Sequence, residues 1–194
     1  MDTTVENRVM EAFTLTKKIQ KIVVNDELYL RTLVPEDVSE PYVAWLNDYE
    51  VTKYTEQKFT EHTFDNVKAF VKQKHNSENE LLFGIFFKAK HVGNLKLGPV
   101  KFEHLTAEIS YMIGEKEYWG MGISSTCVRA VVNYAVEKLK IKKINAGYYE
   151  NNIGSAKVLQ KCDFIPEGIK RCEVLFEGQR INSVTVGYLP PSSD

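Results

Sequence analysis

The 194-residue sequence lacks the features of secreted and membrane-spanning proteins. Its three cysteines, Cys127, Cys162 and Cys172, are odd in number and show no C-x-x-C spacing, so neither a disulfide framework nor a zinc site is indicated. No stretch approaches the roughly 20 apolar residues of a membrane span. The N-terminal segment MDTTVENRVMEAF contains acidic residues and lacks the apolar core of a signal peptide. We therefore expect a cytoplasmic protein without a membrane partner.

Neither sign of charge is in excess, because 25 Lys and Arg stand against 26 Asp and Glu, for a net charge of −1. A short basic run within residues 138–143 is typical of a helix C-terminus with a solvated face. Nucleic-acid binders usually carry a basic surplus, so we expect no nucleic-acid partner. The histidines are scattered and lack neighbouring ligands, so no metal is expected at His62, His75, His91 or His104.

The composition is that of a globular protein, with 43% hydrophobic and 26% charged residues. The length fits one domain, since single cores take roughly 100 to 200 residues. We assign residues 20–194 to this domain. Residues 1–19 show no continuous amphipathic pattern and are interpreted as an N-terminal extension.

The hydrophobic periodicity predicts the order β, α, α, β, β, β, α, β, α, β, β along the chain. The helical patterns occupy residues 36–47, 63–74, 120–139 and 152–161. Only one strand-to-strand crossover has the form of a parallel connection. The sequence therefore predicts a mixed α+β fold, with a mostly antiparallel central sheet flanked by helices.

A glycine-rich turn joins a predicted strand to the third predicted helix, in the run AEISYMIGEKEYWGMGIS at residues 107–124. Backbone N–H groups at a helix start, with the helix dipole, attract anions, and glycines let a diphosphate approach the backbone. The hydroxyl groups of residues 124–126 are further candidate donors. Taken alone, Gly120 and Gly122 fit a simple tight turn equally well. Ser125 replaces the third glycine of a dinucleotide fingerprint, which disfavours a nicotinamide-dependent oxidoreductase.

This run resembles the coenzyme A motif of the GNAT superfamily of N-acetyltransferases, in particular the branch of ribosomal-protein N-terminal (Rim-type) enzymes. A second motif of the family is matched by NNIGSAKVLQKCDF at residues 151–164, followed by Glu167 and Gly168. Two residues depart from the family pattern: Glu117 replaces a Gln or Arg, and Asp163 replaces a glycine. Asp tolerates the left-handed backbone better than most residues do. The resemblance spans residues 27–189.

The resemblance implies a GNAT fold and an enzyme that transfers an acetyl group from acetyl-CoA to a primary amine by direct attack on the thioester. It implies no metal. The residues implied in binding the cosubstrate belong to the two motifs, and they are Tyr111, Met112, Ile113, Trp119, Gly120, Met121, Gly122, Ile123, Ser124, Asn152 and Ser155. Trp119 is equally compatible with a packing role.

The resemblance also assigns catalytic roles. Glu108 resembles the family's general base, although strand alternation fits a solvated residue equally well. Ser155 resembles the hydroxyl that protonates the leaving thiolate, and Asn152 also fits a helix N-cap. Tyr148 and Tyr149 are alternative acids. A backbone N–H within residues 111–113 is the expected oxyanion donor.

The acceptor is expected against the first two helices and their loop, where Trp45, Asn47, Tyr54 and Glu56 are the candidate binding residues; Trp45 also fits a packing role. The phrases WLND and HVGNLKLGPV resemble GNAT proteins that modify amino sugars, which favours a nucleotide-linked amino sugar, with a protein N-terminus as the other acceptor. A non-catalytic acyl-CoA sensor of the same fold is the alternative function. A homodimer is compatible with the resemblance.

Overall fold

A computed structural model of the protein describes residues 20–191 together with Asn7 and Glu11. The extension predicted for residues 1–19 lies outside the described residues, apart from those two positions.

The described strands form a single sheet of eight in the order β1-β2-β3-β4-β5-β6-β8-β7. They are β1 (Lys21–Val23), β2 (Leu28–Thr32), β3 (Leu81–Phe87), β4 (Lys90–Leu97), β5 (Thr106–Ile113), β6 (Lys143–Tyr149), β7 (Ile165–Phe176) and β8 (Gln179–Tyr188). Every neighbouring pair is antiparallel except β5 and β6, which run parallel. The sheet confirms the predicted mixed α+β class.

The helices lie between the strands in the predicted order. They are α1 (Glu40–Asn47), α2 (Tyr49–Thr52), α3 (Phe64–His75), α4 (Ile123–Glu137) and α5 (Ile153–Lys161). The short helix α2 was not predicted as a separate element; Asp48 separates it from α1 and caps it by accepting from the Glu50 N–H.

The two faces of the sheet carry separate hydrophobic cores. On one face, α4 packs Cys127, Val128 and Val131 into a core that includes Phe83 of β3. On the other face, α1 and α3 pack into a core that includes Leu82 of the same strand. Alternate strand residues point to opposite faces, so one strand serves both cores.

Helix α4 begins at Ile123, three residues later than predicted, because Gly120 and Gly122 have φ of 77° and 80°. These left-handed values are open to glycine and end any helix extending toward residue 120. Asp163 has φ of 64°, in agreement with the left-handed turn expected there. Within residues 20–191 no helix is long and apolar enough to cross a membrane.

Candidate active site

The parallel strands β5 and β6 separate near the middle of the sheet. Their pairing ends at Glu108 and Asn145, and beyond this point β6 pairs only with β8. The opening between β5 and β6 leads into a cavity of about 650 Å³ between the start of α4, the start of α5 and residues 50–55. We call it the cofactor cavity.

Backbone groups of alternate β5 residues face this opening. The Gly114 N–H donates to the Val92 carbonyl, so even-numbered residues at this end of the strand direct their backbone groups toward β4. The odd-numbered residues Tyr111 and Ile113 therefore direct theirs toward the opening. In agreement, the Trp119 indole N–H donates to the Ile113 carbonyl across 2.9 Å.

The first turn of α4 presents uncapped backbone amides to the cofactor cavity. Gly122 is the N-cap residue and provides no side-chain cap, and a Cβ added at Gly120 would contact nothing within 4 Å. The hydroxyl groups of Ser125 and Thr126, predicted as donors to an anion, instead donate to the Gly122 carbonyl at 2.9 Å and 3.1 Å. The backbone is thus the main source of donors at this site.

All the predicted cofactor-binding residues line the cofactor cavity, except Met121. Met121 lies between the two left-handed glycines and is 58% exposed. The motif therefore predicts the cavity wall well, and the exception is the one residue whose side chain the glycine turn directs outward.

Ser155 and Tyr111 meet across the cofactor cavity. The Ser155 hydroxyl oxygen lies 2.8 Å from the Tyr111 phenol oxygen, and the Ser155 N–H donates to the Asn152 side chain at 3.0 Å. Asn152 therefore caps α5, as one of its two interpretations predicted. Burial raises the pKa of Tyr111, so its phenol keeps its proton and remains a hydrogen-bond donor at neutral pH.

Several polar residues of the cavity wall were not predicted, and three of them bear on an anionic cosubstrate with amide groups. Lys157 and Lys161, one helical turn apart on α5, provide positive charge beside the amides of α4. The Asn151 side-chain oxygen is buried there and accepts no hydrogen bond from the described residues. The four-residue spacing of the lysines was a signal available in the sequence, whereas the orphaned oxygen was not.

Glu108 is exposed and lies outside the wall of the cofactor cavity. By strand alternation it shares a sheet face with Ser110 and Met112. Both of these residues line a second cavity, so Glu108 lies on the sheet face that bounds that cavity.

The second cavity, of about 510 Å³, lies between helices α1 and α3 and the sheet. It shares Thr55, Tyr111 and Met112 with the cofactor cavity, so the two cavities adjoin near the end of β5. We call it the acceptor cavity.

None of the four predicted acceptor residues lines the acceptor cavity, and of the four only Tyr54 lines the cofactor cavity. Two of them, Trp45 and Asn47, have structural roles. Trp45 is 6% exposed, its ring packs directly on Gly114, and its indole N–H donates to the Glu115 carboxylate. Asn47 forms two hydrogen bonds with the His62 backbone and so holds the loop before α3. The packing interpretation of Trp45 describes its position.

The other two predicted acceptor residues, Tyr54 and Glu56, contact one aromatic cluster beside the cofactor cavity. Tyr54 lines that cavity and stacks on Phe176 at 5.3 Å between ring centres. Glu56 accepts a hydrogen bond from the Tyr149 phenol. Burial, together with the Glu56 carboxylate, raises the pKa of Tyr149, which makes this phenol a poorer acid. Tyr148 lines neither cavity.

The two departures from the motif leave the cofactor cavity intact. The exposed Glu117 pairs with Lys90 at 3.2 Å, and hydrogen bonding from Lys90 lowers the pKa of Glu117. Asp163 pairs with Arg129 at 2.9 Å. Neither carboxylate lines the cavity. Among the residues the structure describes, no group of three His, Cys, Asp or Glu is arranged to hold a metal.

Comparison with known proteins agrees with this geometry. The sequence model of the acetyltransferase (GNAT) domain family matches residues 27–165. A probable N-acetyltransferase of Bacillus subtilis, YjcK, is 30% identical over 151 residues, which cover 76% of this chain and 78% of the relative.

Two solved structures share the fold. RimL, the ribosomal L7/L12 α-N-protein acetyltransferase solved with coenzyme A, superposes with a TM-score of 0.79 at 16% identity, covering 88% of this chain and 98% of RimL. A Vibrio cholerae spermidine N-acetyltransferase, solved with CoA and spermine, superposes with a TM-score of 0.75 at 21% identity, covering 85% and 96%.

Proposed function

Because the chain belongs to the acetyltransferase (GNAT) family, we propose that it transfers the acetyl group of acetyl-CoA to a primary amine by direct attack of the amine on the thioester. The observation that carries the proposal is the end of pairing between β5 and β6, beside which a cavity at the amides of α4 adjoins a second cavity through shared residues of β5. Two substrates that enter from the two cavities meet at Tyr111 and Met112.

The residues of the cofactor cavity fit coenzyme A. The uncapped amides of α4 and the open space at Gly120 suit a diphosphate, and Lys157 and Lys161 add positive charge. The orphaned Asn151 oxygen suits an amide N–H of the pantetheine arm, since a buried acceptor without a partner is costly. Bound acetyl-CoA supplies an acyl group already activated as a thioester.

The backbone N–H of Tyr111 is assigned as the oxyanion donor. It faces the opening, and Tyr111 is the odd-numbered β5 residue that both cavities share. A fixed backbone dipole stabilises developing negative charge without reorganisation. The N–H of Ile113, two residues further along the same edge, is then available to the pantetheine arm.

Proton transfer is assigned to groups on the two sides of β5. As the carbon–sulfur bond breaks, the thiolate takes a proton from the Ser155 hydroxyl, which the Tyr111 phenol holds in position at 2.8 Å. The proton lost by the amine goes through water to Glu108, which is on the sheet face of the acceptor cavity but outside its lining. One proton leaves the amine and one reaches the sulfur. Glu108 then releases its proton to solvent water and the Ser155 hydroxyl regains one from that water, so the enzyme returns to its starting state.

The proposed acceptor is a nucleotide-linked amino sugar or a protein N-terminus. The solved relatives named above act on an N-terminal amine and on a polyamine, so the fold accommodates amines of different size. The alternative function, a non-catalytic acyl-CoA sensor, was based on the departures from the family motif at Glu117 and Asp163. Both carboxylates lie outside the cavity walls, so neither departure argues against catalysis.

Thiol release from acetyl-CoA, measured with a panel of amino sugars, polyamines and short peptides, tests the proposal. We expect release that depends on one class of amine, and calorimetric binding of CoA without any amine. Binding without release for every amine would contradict the transfer reaction and favour the sensor.

A further inference from the structure

The acceptor cavity has a one-sided charge. Its walls contain Lys74 and Lys96, and among the described residues that line it none is Asp or Glu. The remaining walls are apolar or uncharged, with Phe70, Val67 and Met112 among them. A ligand in this cavity therefore meets positive charge.

The two lysines are held in place by a single carboxylate. Lys74 projects from α3 and Lys96 from β4, and their ammonium groups lie 2.5 Å and 3.0 Å from the two oxygens of Glu80. Burial alone would raise the pKa of Glu80, but the hydrogen bonds from both lysines outweigh it, and the pKa lies below its ordinary value. Two cations thus share one anion, so the two lysines and Glu80 together carry one net positive charge. The carboxylate of Glu108 is on the same sheet face but outside the lining of the cavity.

The lysines retain the capacity to bind an anion. An ammonium has three N–H donors, and each lysine gives one to Glu80. Lys96 lies directly across the β4–β5 ladder from Ser110, whose side chain also lines the cavity. Ser110 is next to Tyr111 in sequence, and Tyr111 borders both cavities. An acceptor of sugar size can span from these lysines to the junction.

We propose that the acceptor is an amine that also carries an anionic group, a phosphate or a carboxylate, which Lys74 and Lys96 bind while the amine reaches the junction at Tyr111 and Met112. The inference rests on the proposed function and narrows its acceptor. A polyamine is disfavoured, because its further ammonium groups would meet the same lysines and like charges repel.

Calorimetric titration of the CoA-bound protein tests this inference without requiring turnover. The ligands are glucosamine, glucosamine 6-phosphate, muramic acid and spermidine, so that one sugar amine is compared with its phosphate-bearing and carboxylate-bearing forms. We expect at least one anionic form to bind about ten-fold more tightly than glucosamine, since hydrogen bonds between charged groups are stronger than neutral ones. We expect spermidine to bind most weakly. The preferred anionic form identifies the group.

Variants separate the lysines from the overall charge of the protein. Lys96→Gln and Lys74→Gln should each remove most of the anionic preference and leave glucosamine binding within about two-fold. Lys72→Gln removes the same charge from an exposed position of the same helix and should change nothing. Glu80→Gln should act in the opposite direction and tighten anionic binding. The CoA affinity of each variant reports on its fold.

The outcomes distinguish this inference from the proposed function. Three results would each overturn the inference, whether or not acetyl transfer occurs. They are equal binding of glucosamine and both anionic sugars, tightest binding of spermidine, and equal effects of Lys72→Gln and Lys96→Gln. Lysine-dependent binding of an anionic sugar supports it. If that binding is found and no amine releases thiol, the transfer reaction fails and the anionic site stands.

Discussion

The side chains of Ser155 and Tyr111 form a hydroxyl pair at the point where the two cavities meet. Ser155→Ala removes the proposed proton donor to the thiolate but leaves the Asn152 cap, which binds the Ser155 backbone N–H. We expect kcat to fall about 100-fold, because general acids contribute 10²–10⁴-fold, while CoA affinity changes by less than about two-fold. Steady-state kinetics and calorimetry on the same preparation measure both.

Tyr111→Phe provides the matched test of the pair. If the phenol acts through Ser155, this variant also loses kcat, and the double variant Ser155→Ala, Tyr111→Phe loses no more than the worse single variant. Additive losses would mean that the two hydroxyl groups act separately. Unchanged turnover in Ser155→Ala would remove Ser155 from the mechanism.

The sequence motif predicted Ser155 and Asn152 but not the use of the Tyr111 side chain. Tyr111 and Ser155 are 44 residues apart, and their contact depends on how far β5 and β6 separate. Local spacing carries no information about that distance. The same holds for the orphaned Asn151 oxygen, which is recognised only once its surroundings are known.

At the scale of the element, the start of α4 is the part of the site that depends least on side chains. Gly120→Ala places a methyl group in space that the protein leaves empty beside the uncapped amides. We expect the affinity for CoA to fall by at least about ten-fold, because the methyl group keeps the diphosphate from the backbone donors. Alanine at this left-handed φ is also strained, which should lower the free energy of unfolding by about 1 kcal/mol.

Gly178→Ala separates these two effects. Gly178, in the turn between β7 and β8, has φ of 79° and nothing within 4 Å of an added Cβ, compared with 77° and equally open space at Gly120. Urea denaturation should show a similar loss of stability in both variants, and calorimetry a loss of CoA affinity only in Gly120→Ala. Equal CoA affinities in the two variants would show that α4 does not hold the diphosphate.

The elements themselves were predictable because their signals are local. Glycine turns, hydrophobic periodicity and the single parallel crossover led to the mixed class and to the observed order, except that the first predicted strand is two strands, β1 and β2, and that α2 is an additional helix. The divergence of β5 and β6 was not predictable, because the point at which two strands stop pairing is a tertiary property that the local pattern of either strand does not encode. The cofactor cavity depends on that divergence.

At the scale of the whole molecule, sequence reasoning could not divide the aromatic residues between core and site. Trp45 was a candidate for binding the acceptor, yet it packs on Gly114 and joins α1 to the end of β5. A tryptophan on an amphipathic helix has the same local pattern in either role. Which face of the sheet receives it is a tertiary property.

His91 packs beside Trp45 in the core between α1, α3 and the sheet, and it makes the stability of the protein depend on pH. Its ring packs against Tyr42, Trp45 and Phe86 at 5.1–5.4 Å, and its Nε2 lies 2.9 Å from the Asn94 side-chain oxygen. The buried Nδ1 has no partner among the described residues. Burial lowers the pKa of His91, so the folded protein favours the neutral ring.

The sign of the resulting pH dependence follows from this shift. Because the folded-state pKa lies below the unfolded value of about 6.5, the unfolded chain binds the proton more tightly, and stability is lost as pH falls below about 6.5. We expect the urea concentration at the unfolding midpoint to decrease when the pH is lowered from 7.5 to 5.5. His91→Phe, which keeps an aromatic ring and removes the titrating group, should reduce that fall, although the orphaned Asn94 oxygen lowers its stability at every pH. The exposed His104→Gln should keep the wild-type dependence. If all three proteins lose stability in parallel, the acid sensitivity comes from groups outside this core, and burial of the neutral ring between α1 and the sheet does not set it.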